Sequence, residues 1–253
     1  MSPALFNFYI NDLPEYIGKD NAAPVLNDQK INALLYADDL VLLSLSPEGL
    51  QESLHKIDKY CKKWKLNINV KKTKIMMFNK HGSRCGRKFY LGKECLENVT
   101  EYKYLGLTLA VNGNMIKAKE HVYKRALKGL FKLKACLTLT SASPRLSLKL
   151  FDQLIKPKGL YGSEIWGYVN VTNRKLRDDN WMEKVYTSYP VEKLNISFSK
   201  YVLGVNRRTT NVAAMGELGR YPLGINVIIS MLKYYDHLEN TENKLLQSAK
   251  IES

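Results

Sequence analysis

Cysteine, histidine and long apolar runs are scarce in this sequence. The four cysteines show no Cys-x-x-Cys spacing, and the four histidines are not placed to complete a zinc site with them. No apolar run approaches the roughly 18 residues that a membrane span needs, and the N-terminus lacks the apolar core of a signal peptide. We therefore expect reduced thiols and an intracellular protein that crosses no membrane.

Acidic side chains are also few relative to basic ones. Lys and Arg number 39 against 24 Asp and Glu, which gives a formal charge of +15 and a pI near 9.5. Such a balance favours a polyanionic partner, and it favours nucleic acid over a membrane surface. The alternative is a soluble protein that is merely basic. With 253 residues and 45% apolar content, the chain can bury one good core or two modest ones.

Two adjacent carboxylates interrupt an apolar stretch of the chain. Apolar residues dominate Ile31–Tyr36 and Leu40–Leu43, and Asp38 and Asp39 stand between these segments. Short apolar runs bounded by polar residues are typical of buried strands, so the pattern predicts a β-hairpin with both carboxylates at its tip. Aspartate is also a common turn residue. The pair by itself therefore indicates either an ordinary turn or a site for a divalent cation that offsets its charge.

Helix and strand signals surround this stretch. An amphipathic helix is predicted over Ser2–Leu13, ending at Pro14, and another after the cap pair Ser46-Pro47. Between them Gly18–Lys30 is predicted to be a loop. Strands are predicted at Ile75–Phe78, Phe89–Leu91 and Tyr102–Leu109. Later helices are predicted at Met115–Leu137, from Ser143 to near Pro157, in two parts of Arg174–Gly204, and at Ile225–His237. A turn is predicted at Met215–Leu223, and the polar tail Glu239–Ser253 is predicted to fray.

Basic residues follow one side of the Met115–Leu137 helix. Steps of three or four residues separate Lys117, His121, Lys124, Lys128 and Lys132, which places them on one face. Like charges so spaced repel by a few tenths of a kcal/mol per pair. Since a phosphate backbone would turn this repulsion into attraction, the four lysines are predicted to bind nucleic acid.

Several segments carry a resemblance to one family. Tyr36-Ala37-Asp38-Asp39, followed by Leu40-Val41-Leu42-Leu43, resembles the Tyr-x-Asp-Asp box of reverse transcriptases, with flanks similar to the non-LTR retrotransposon branch. The segment from Ser2 to Leu13 resembles the family segment after its template-contacting glycine. Further similar segments are Asn69-Val70-Lys71-Lys72-Thr73, Tyr102-Lys103-Tyr104-Leu105-Gly106 and Tyr161–Gly167.

This resemblance implies an RNA-directed DNA polymerase that uses an RNA template, a DNA primer and deoxynucleoside triphosphates. Asp38 and Asp39 would be catalytic and would bind Mg²⁺, or Mn²⁺ in its place, while Lys72 would protonate the leaving pyrophosphate. The residues implied at the primer end are Tyr104, Leu105 and Gly106. From the residues alone, the lysines at 71, 72 and 74 could equally be a solvated run, and the side chains at 104 and 105 could be core residues.

The family's third aspartate and its fingers region have no counterpart among these 253 residues. Asp12, Asp20 and Asp28 are not expected to replace that aspartate, because the first ends a helix and the others lie in a loop without flanking strands. One carboxylate pair is not expected to hold both ions of a two-metal site. We therefore expect the chain to be inactive alone.

The resulting expectation is an α+β chain with two domains. Residues 1–112 would form a partial polymerase palm, an antiparallel sheet with packed helices, and residues 113–253 an all-α thumb-like region with a C-terminal extension. The resemblance also implies a nuclear location, which no targeting motif in the sequence indicates. The alternative function is a non-catalytic nucleic-acid-binding module derived from a reverse transcriptase, and a maturase-like or telomerase-like relative is a further one.

Overall fold

The computed structural model describes residues 3–18, 22–26, 28–82, 86–140, 142–167, 189–243 and 246. The chain divides into two compact units, residues 1–102 with 238–253, and residues 103–237. Helices and small, mostly antiparallel sheets make up both the N-terminal and the central parts, so the predicted α+β class is confirmed. The palm and thumb boundary at residue 112 stays a prediction.

The first unit combines three helices with short strands. Its helices are α1 (Pro3–Tyr9), α2 (Leu13–Ile17) and α3 (Pro47–Lys63). Its strands are β1 (Val25–Leu26), β2 (Gln29–Lys30), β3 (Ala33–Tyr36), β4 (Asp39–Leu42), β5 (Lys74–Ile75), β6 (Phe89–Leu91) and β7 (Glu94–Asn98). β1 pairs with β2 and β3 with β4, both antiparallel. β7 lies between β5, to which it is parallel, and β6, to which it is antiparallel.

α3 begins where its cap residues predict. The Ser46 hydroxyl accepts a hydrogen bond from the N–H of Gly49 at 3.1 Å, which satisfies one of the unpaired donors of the first turn. Pro47 occupies the first helical position, where no hydrogen bond is lost. The helix then buries Leu54 and Ile57, as its apolar stripe predicts.

Tyr60 of α3 lies at the centre of the first unit's core. That core consists of Leu13, Ile17, Leu54, Ile57, Tyr60, Ile75, Phe89, Leu91 and Leu96. The Tyr60 ring is fully inaccessible, and its hydroxyl donates to the carboxylate of Asp12. Burial, and then the hydrogen bond to Asp12, raise the pKa of the Tyr60 phenol. The Asp12 carboxylate thus accepts a hydrogen bond from a core residue.

Pro14 does not end the first helix, contrary to the prediction. α1 stops at Tyr9, and a second short helix begins at Leu13 with Pro14 in its first turn. A proline near a helix start costs nothing, because its missing N–H would have no intrahelical partner there. Pro14 therefore marks the beginning of α2.

The strand predictions of the first unit are partly wrong. The predicted Gly18–Lys30 loop contains the small β1–β2 hairpin, and Ile75–Phe78 is extended only as far as Ile75. β7 was not predicted, because its sequence Glu-Cys-Leu-Glu-Asn presents a single buried apolar side chain, Leu96. Phe89–Leu91 forms the predicted strand.

The second unit is mainly helical. β8 (Glu101–Tyr104), which starts in the last two residues of the first unit, pairs with β9 (Leu107–Ala110) in the predicted Tyr102–Leu109 region. The helices are α4 (Ile116–Thr140), α5 (Pro144–Leu154), α6 (Lys156–Gly159), α7 (Ser163–Trp166), α8 (Pro190–Val202), α9 (Asn211–Glu217) and α10 (Leu223–Asn240). α10 extends past the unit's last residue, His237.

α4 forms the spine of the second unit. It buries one apolar stripe, namely Ala118, Val122, Ala126, Leu130, Leu133 and Leu137. This stripe packs in a core with Phe151 of α5, Phe198 of α8 and Val227 of α10. The Phe151 and Phe198 rings stack with centroids 4.8 Å apart. The long amphipathic helix predicted from the sequence is present.

The later boundaries agree with the prediction in part. The helix that starts at the Ser143 cap ends at Leu154, close to the predicted end near Pro157, and Pro157 lies in the first turn of the next helix, α6. Met215 belongs to α9, so the turn predicted at Met215–Leu223 begins only after Glu217. Gly204, the predicted C-cap, has φ of +66° just after α8. Predictions on residues 168–188, on Arg84 and on the last seven residues fall outside the described residues.

No helix within the described part of the chain is long and apolar enough to cross a membrane.

The cap of α3 provides a test of how that helix is held. Replacing Ser46 with Ala should lower the free energy of unfolding by about 1 kcal/mol, because the Gly49 N–H loses its acceptor. Ser46→Asp restores an acceptor and should recover most of the loss. Chemical denaturation of both variants measures the effect, and equal stability of Ser46→Ala and the parent would contradict it.

Candidate functional site

The paired carboxylates lie at the tip of the β3–β4 hairpin. The register pairs Tyr36 with Asp39, so Ala37 and Asp38 form a two-residue loop. Both aspartates are exposed. Among the described ion pairs, none involves either carboxylate. The turn thus presents two adjacent anionic groups to solvent.

Ala37 holds this turn in a strained conformation. Its φ is +52°, in the left-handed region that two-residue hairpin loops require. A residue with a Cβ pays about 1 kcal/mol or more for that conformation. The residue before Asp38 therefore sets the direction of the turn at a small cost in stability.

The hairpin strands are less buried than predicted. Leu35 is 37% exposed and Tyr36 64% exposed. Ala33, Leu40 and Leu42 are partly buried against the core of the first unit. Within the described residues the hairpin is a two-stranded sheet, to which no third strand is paired. Its base is anchored and its tip extends into solvent.

The carboxylates that could complete the pair are placed elsewhere. Asp12 accepts the hydroxyl of Tyr60, and Asp28 lies in the β1–β2 turn with φ of +63°. Asp20 lies outside the described residues. In the described part of the chain, no group of three or more Asp, Glu, His or Cys side chains could hold a metal ion. The local donor set is therefore the two carboxylates at the tip.

Lys72 is held by a turn that Asn69 organises. The N–H of Lys72 donates to the Asn69 carbonyl at 3.0 Å and to its side-chain oxygen at 3.2 Å. The Thr73 hydroxyl donates to the same carbonyl. Lys72 is exposed, whereas Lys74 pairs with Glu97 at 2.6 Å. Lys72 and Lys74 are thus not equivalent. The backbone of Lys72 is fixed by hydrogen bonds, and its side chain is accessible.

The same core supports this turn and the hairpin. Ile68 and Val70, just before Lys72, pack against the cluster that also receives Leu40 and Leu42. Lys72 was predicted through its resemblance to the family, whereas the structural role of Asn69 was not predicted. Asparagine is a turn residue, so its position three residues before the lysine was an available signal.

A second two-residue turn joins β8 to β9. Leu105 and Gly106 form it with φ of +44° and +84°, as a turn with two positive φ values requires. Leu105 is 40% exposed, and Tyr104 is half-buried. Leu105 is therefore not a core residue.

The four predicted lysines line the exposed side of α4. Lys117, Lys124, Lys128 and Lys132 are all exposed and fall within about 80° of the helix circumference at 100° per residue. They lie opposite the buried apolar stripe. His121 is engaged differently, since its ring nitrogen lies 2.5 Å from the hydroxyl of Thr108 in β9. The basic surface is thus the four lysines without the histidine.

Comparison with known proteins identifies the family of the first part of the chain. Residues 1–109 match the family described as reverse transcriptase (RNA-dependent DNA polymerase). These residues belong to the reverse transcriptase family. The matched residues include the carboxylate hairpin, the Asn69–Thr73 turn and the Leu105–Gly106 turn, so the family predicted from those motifs is confirmed.

Similar curated proteins come from transposable elements. A probable RNA-directed DNA polymerase from transposon BS of Drosophila melanogaster is 31% identical over 186 residues, 68% of this chain and 20% of that protein. A transposon-derived protein of Caenorhabditis elegans is 27% identical over 156 residues, 60% of this chain and 54% of its own length. A Pol polyprotein of the type-1 retrotransposable element R2 of Popillia japonica is 27% identical over 70% of this chain and 25% of the polyprotein. This chain thus spans about half or less of these relatives.

The strain at Ala37 in the reverse transcriptase box can be measured. Ala37→Gly should raise the free energy of unfolding of the first unit by roughly 0.5 kcal/mol, because glycine adopts positive φ without penalty. Ala33→Gly, in β3 of the same hairpin, should lower it by roughly 0.5–1 kcal/mol. Urea denaturation of both variants compares the two positions. Equal losses at both would show that the turn is unstrained.

Proposed function

We propose that this chain contributes two parts to a transposon RNA-directed DNA polymerase. They are the Tyr36–Asp39 box and the α4 lysine surface, which would bind an RNA–DNA hybrid. The match of residues 1–109 to the reverse transcriptase family, with Asp38 and Asp39 exposed at a hairpin tip, is the observation that carries the proposal. A purely nucleic-acid-binding module would use the basic helix but would leave the carboxylate pair without a role. The predicted nuclear location belongs to the same proposal.

The carboxylate pair suits a hard divalent ion. Mg²⁺ prefers oxygen ligands, keeps several waters, and binds through one or two carboxylates together with substrate phosphates. Asp38 and Asp39 supply such carboxylates without a competing ion pair among the described residues. They would hold a Mg²⁺ or Mn²⁺ ion, and the bound ion would offset the negative charge of the substrate phosphates.

The other residues of the chain have roles in the same displacement. The primer 3′ hydroxyl attacks the α-phosphorus of a deoxynucleoside triphosphate, the new P–O bond forms, and the bond to pyrophosphate breaks. The hydroxyl proton passes to water. Lys72 donates a proton to the departing pyrophosphate, whose charge makes it a poor leaving group otherwise. Tyr104, Leu105 and Gly106 would support the primer end.

Metal binding at the hairpin can be tested without enzymatic activity. Mn²⁺ added to the parent chain should broaden the amide NMR signals of residues near the tip, because the paramagnetic ion binds beside them. The double change Asp38→Asn and Asp39→Asn should abolish this broadening. Asp28→Asn is the control, since Asp28 is also an exposed aspartate at the turn of a two-stranded hairpin. Broadening that survives the double change would contradict the assignment.

The lysine surface of α4 is proposed to hold an RNA–DNA hybrid. Lys117 to Lys132 span about 22 Å at 1.5 Å per residue, which is long enough to follow several phosphates. Replacing all four lysines with Gln removes charge while nearly preserving helix propensity. The slope of log affinity against log salt should become shallower by about 3.6, taking −0.9 per phosphate contact.

A control variant separates a specific surface from overall charge. Arg145, Lys149, Lys193 and Lys233 are exposed residues of the same unit on other helices. Their replacement by Gln removes the same total charge and should change the slope far less. Hybrid binding at several salt concentrations compares the two variants. If the slope becomes shallower by the same amount in both variants, the α4 lysines act only through the net charge.

A further inference from the structure

A side-chain contact ties the β8–β9 turn to a distant part of the second unit. The hydroxyl of Tyr161, between α6 and α7, donates to the carbonyl oxygen of Leu105 at 2.6 Å. These residues are 56 positions apart in the sequence. A carbonyl in a two-residue turn lies outside the strand ladder, so a side-chain donor can fix its position.

The Tyr161 ring also packs against the next residue of the turn. A Cβ placed on Gly106 would lie 3.0–3.2 Å from two ring carbons and the hydroxyl oxygen of Tyr161. This is closer than van der Waals contact allows without displacement. The absence of a side chain at Gly106 thus serves both its φ of +84° and its close approach to the ring.

Tyr161 is itself held from two sides. The indole N–H of the buried Trp166 donates to the Tyr161 carbonyl at 2.7 Å. The guanidinium of Arg125 on α4 lies 5.0 Å from the centre of the Tyr161 ring, within cation–π distance. Arg125 directly follows Lys124 of the lysine surface. The ring therefore stands between the basic helix and the turn.

We infer that Tyr161 is a positioning residue that holds the Leu105–Gly106 turn, and with it the primer end, at a set distance from the lysine surface of α4. This inference rests on the proposed role of the turn in supporting a primer. The Tyr161 hydroxyl fixes the turn, and Arg125 fixes the ring to the helix. Loss of the hydroxyl should loosen the turn while the lysines still bind the duplex.

The test compares two tyrosine hydroxyls in the same unit. Tyr161→Phe keeps the ring and its contact with Arg125 but removes the bond to Leu105. Tyr201→Phe is the matched control, because the Tyr201 hydroxyl also donates to a backbone carbonyl, that of Lys134 in α4, and the Lys134 ammonium lies 4.9 Å from the centre of its ring. Both tyrosines are partly exposed, at 44% and 37%.

Two readouts apply to the parent and both variants. The first is the ratio of affinities for a hybrid with a recessed DNA primer 3′ end and for a blunt hybrid of equal length. Tyr161→Phe should reduce this ratio about two- to tenfold, the net effect of one hydrogen bond, with the salt slope unchanged. The second is amide hydrogen exchange at residues 105–107, which should accelerate by a similar factor. Tyr201→Phe should change neither.

Each outcome decides between the inference and the function on which it rests. If the parent prefers the recessed primer and Tyr161→Phe keeps both that preference and slow exchange, the inference is wrong while the proposed function stands. If the parent shows no preference for a primer end, the role of the turn is wrong and the inference fails with it. An equal effect in Tyr201→Phe would reduce the result to general loosening of the unit and would also overturn the inference.

Discussion

The buried stripe of α4 determines which side of that helix can meet a nucleic acid. Burying a Val or Leu side chain contributes about 1.5–3 kcal/mol, and the stripe includes Val122, Leu130, Leu133 and Leu137. Repulsion between lysines at helical spacing costs only a few tenths of a kcal/mol per pair. Burial therefore prevails, and the helix keeps its apolar stripe in the core despite the repulsion between its lysines. The lysines stay concentrated on one face, where phosphate is the natural counter-charge.

Local chemistry predicted the helix starts better than the helix ends. Ser46 and Ser143 cap α3 and α5 through side-chain oxygens, as their sequences indicate. Pro14 was predicted to end a helix, yet it lies in the first turn of the following one, and Pro157, just after the end of α5, does so too. A proline excludes the helix before it and favours one after it. Whether a new helix follows the proline depends on whether the next residues can pack against the rest of the fold, which only the tertiary contacts determine.

The candidate site divides in the same way. The carboxylate hairpin was predicted because its determinants lie within a few residues, and the Lys72 segment was predicted through its resemblance to the family. The extra exposure of Leu35 and Tyr36 was not, since it depends on what covers the sheet. The contact between Tyr161 and Leu105 joins segments 56 positions apart. No periodicity or spacing in one sequence encodes such a pairing, so only the structure reveals it.

A buried polar network keeps the second unit internally rigid. Glu192 of α8 is 2% exposed, and it accepts hydrogen bonds from the N–H of Leu223 at 2.6 Å and from the Asn195 amide at 3.0 Å. Burial raises the pKa of the Glu192 carboxyl, although these hydrogen bonds and Arg220 oppose the shift. Breaking such a buried network costs several kcal/mol, so the start of α10 is fixed on α8. Because α8 also packs on α4, the helix that carries the lysines cannot drift within its unit. The fold itself therefore determines the distance between the lysine surface of α4 and the Leu105–Gly106 turn, and a duplex bound as we propose would meet the turn at that distance.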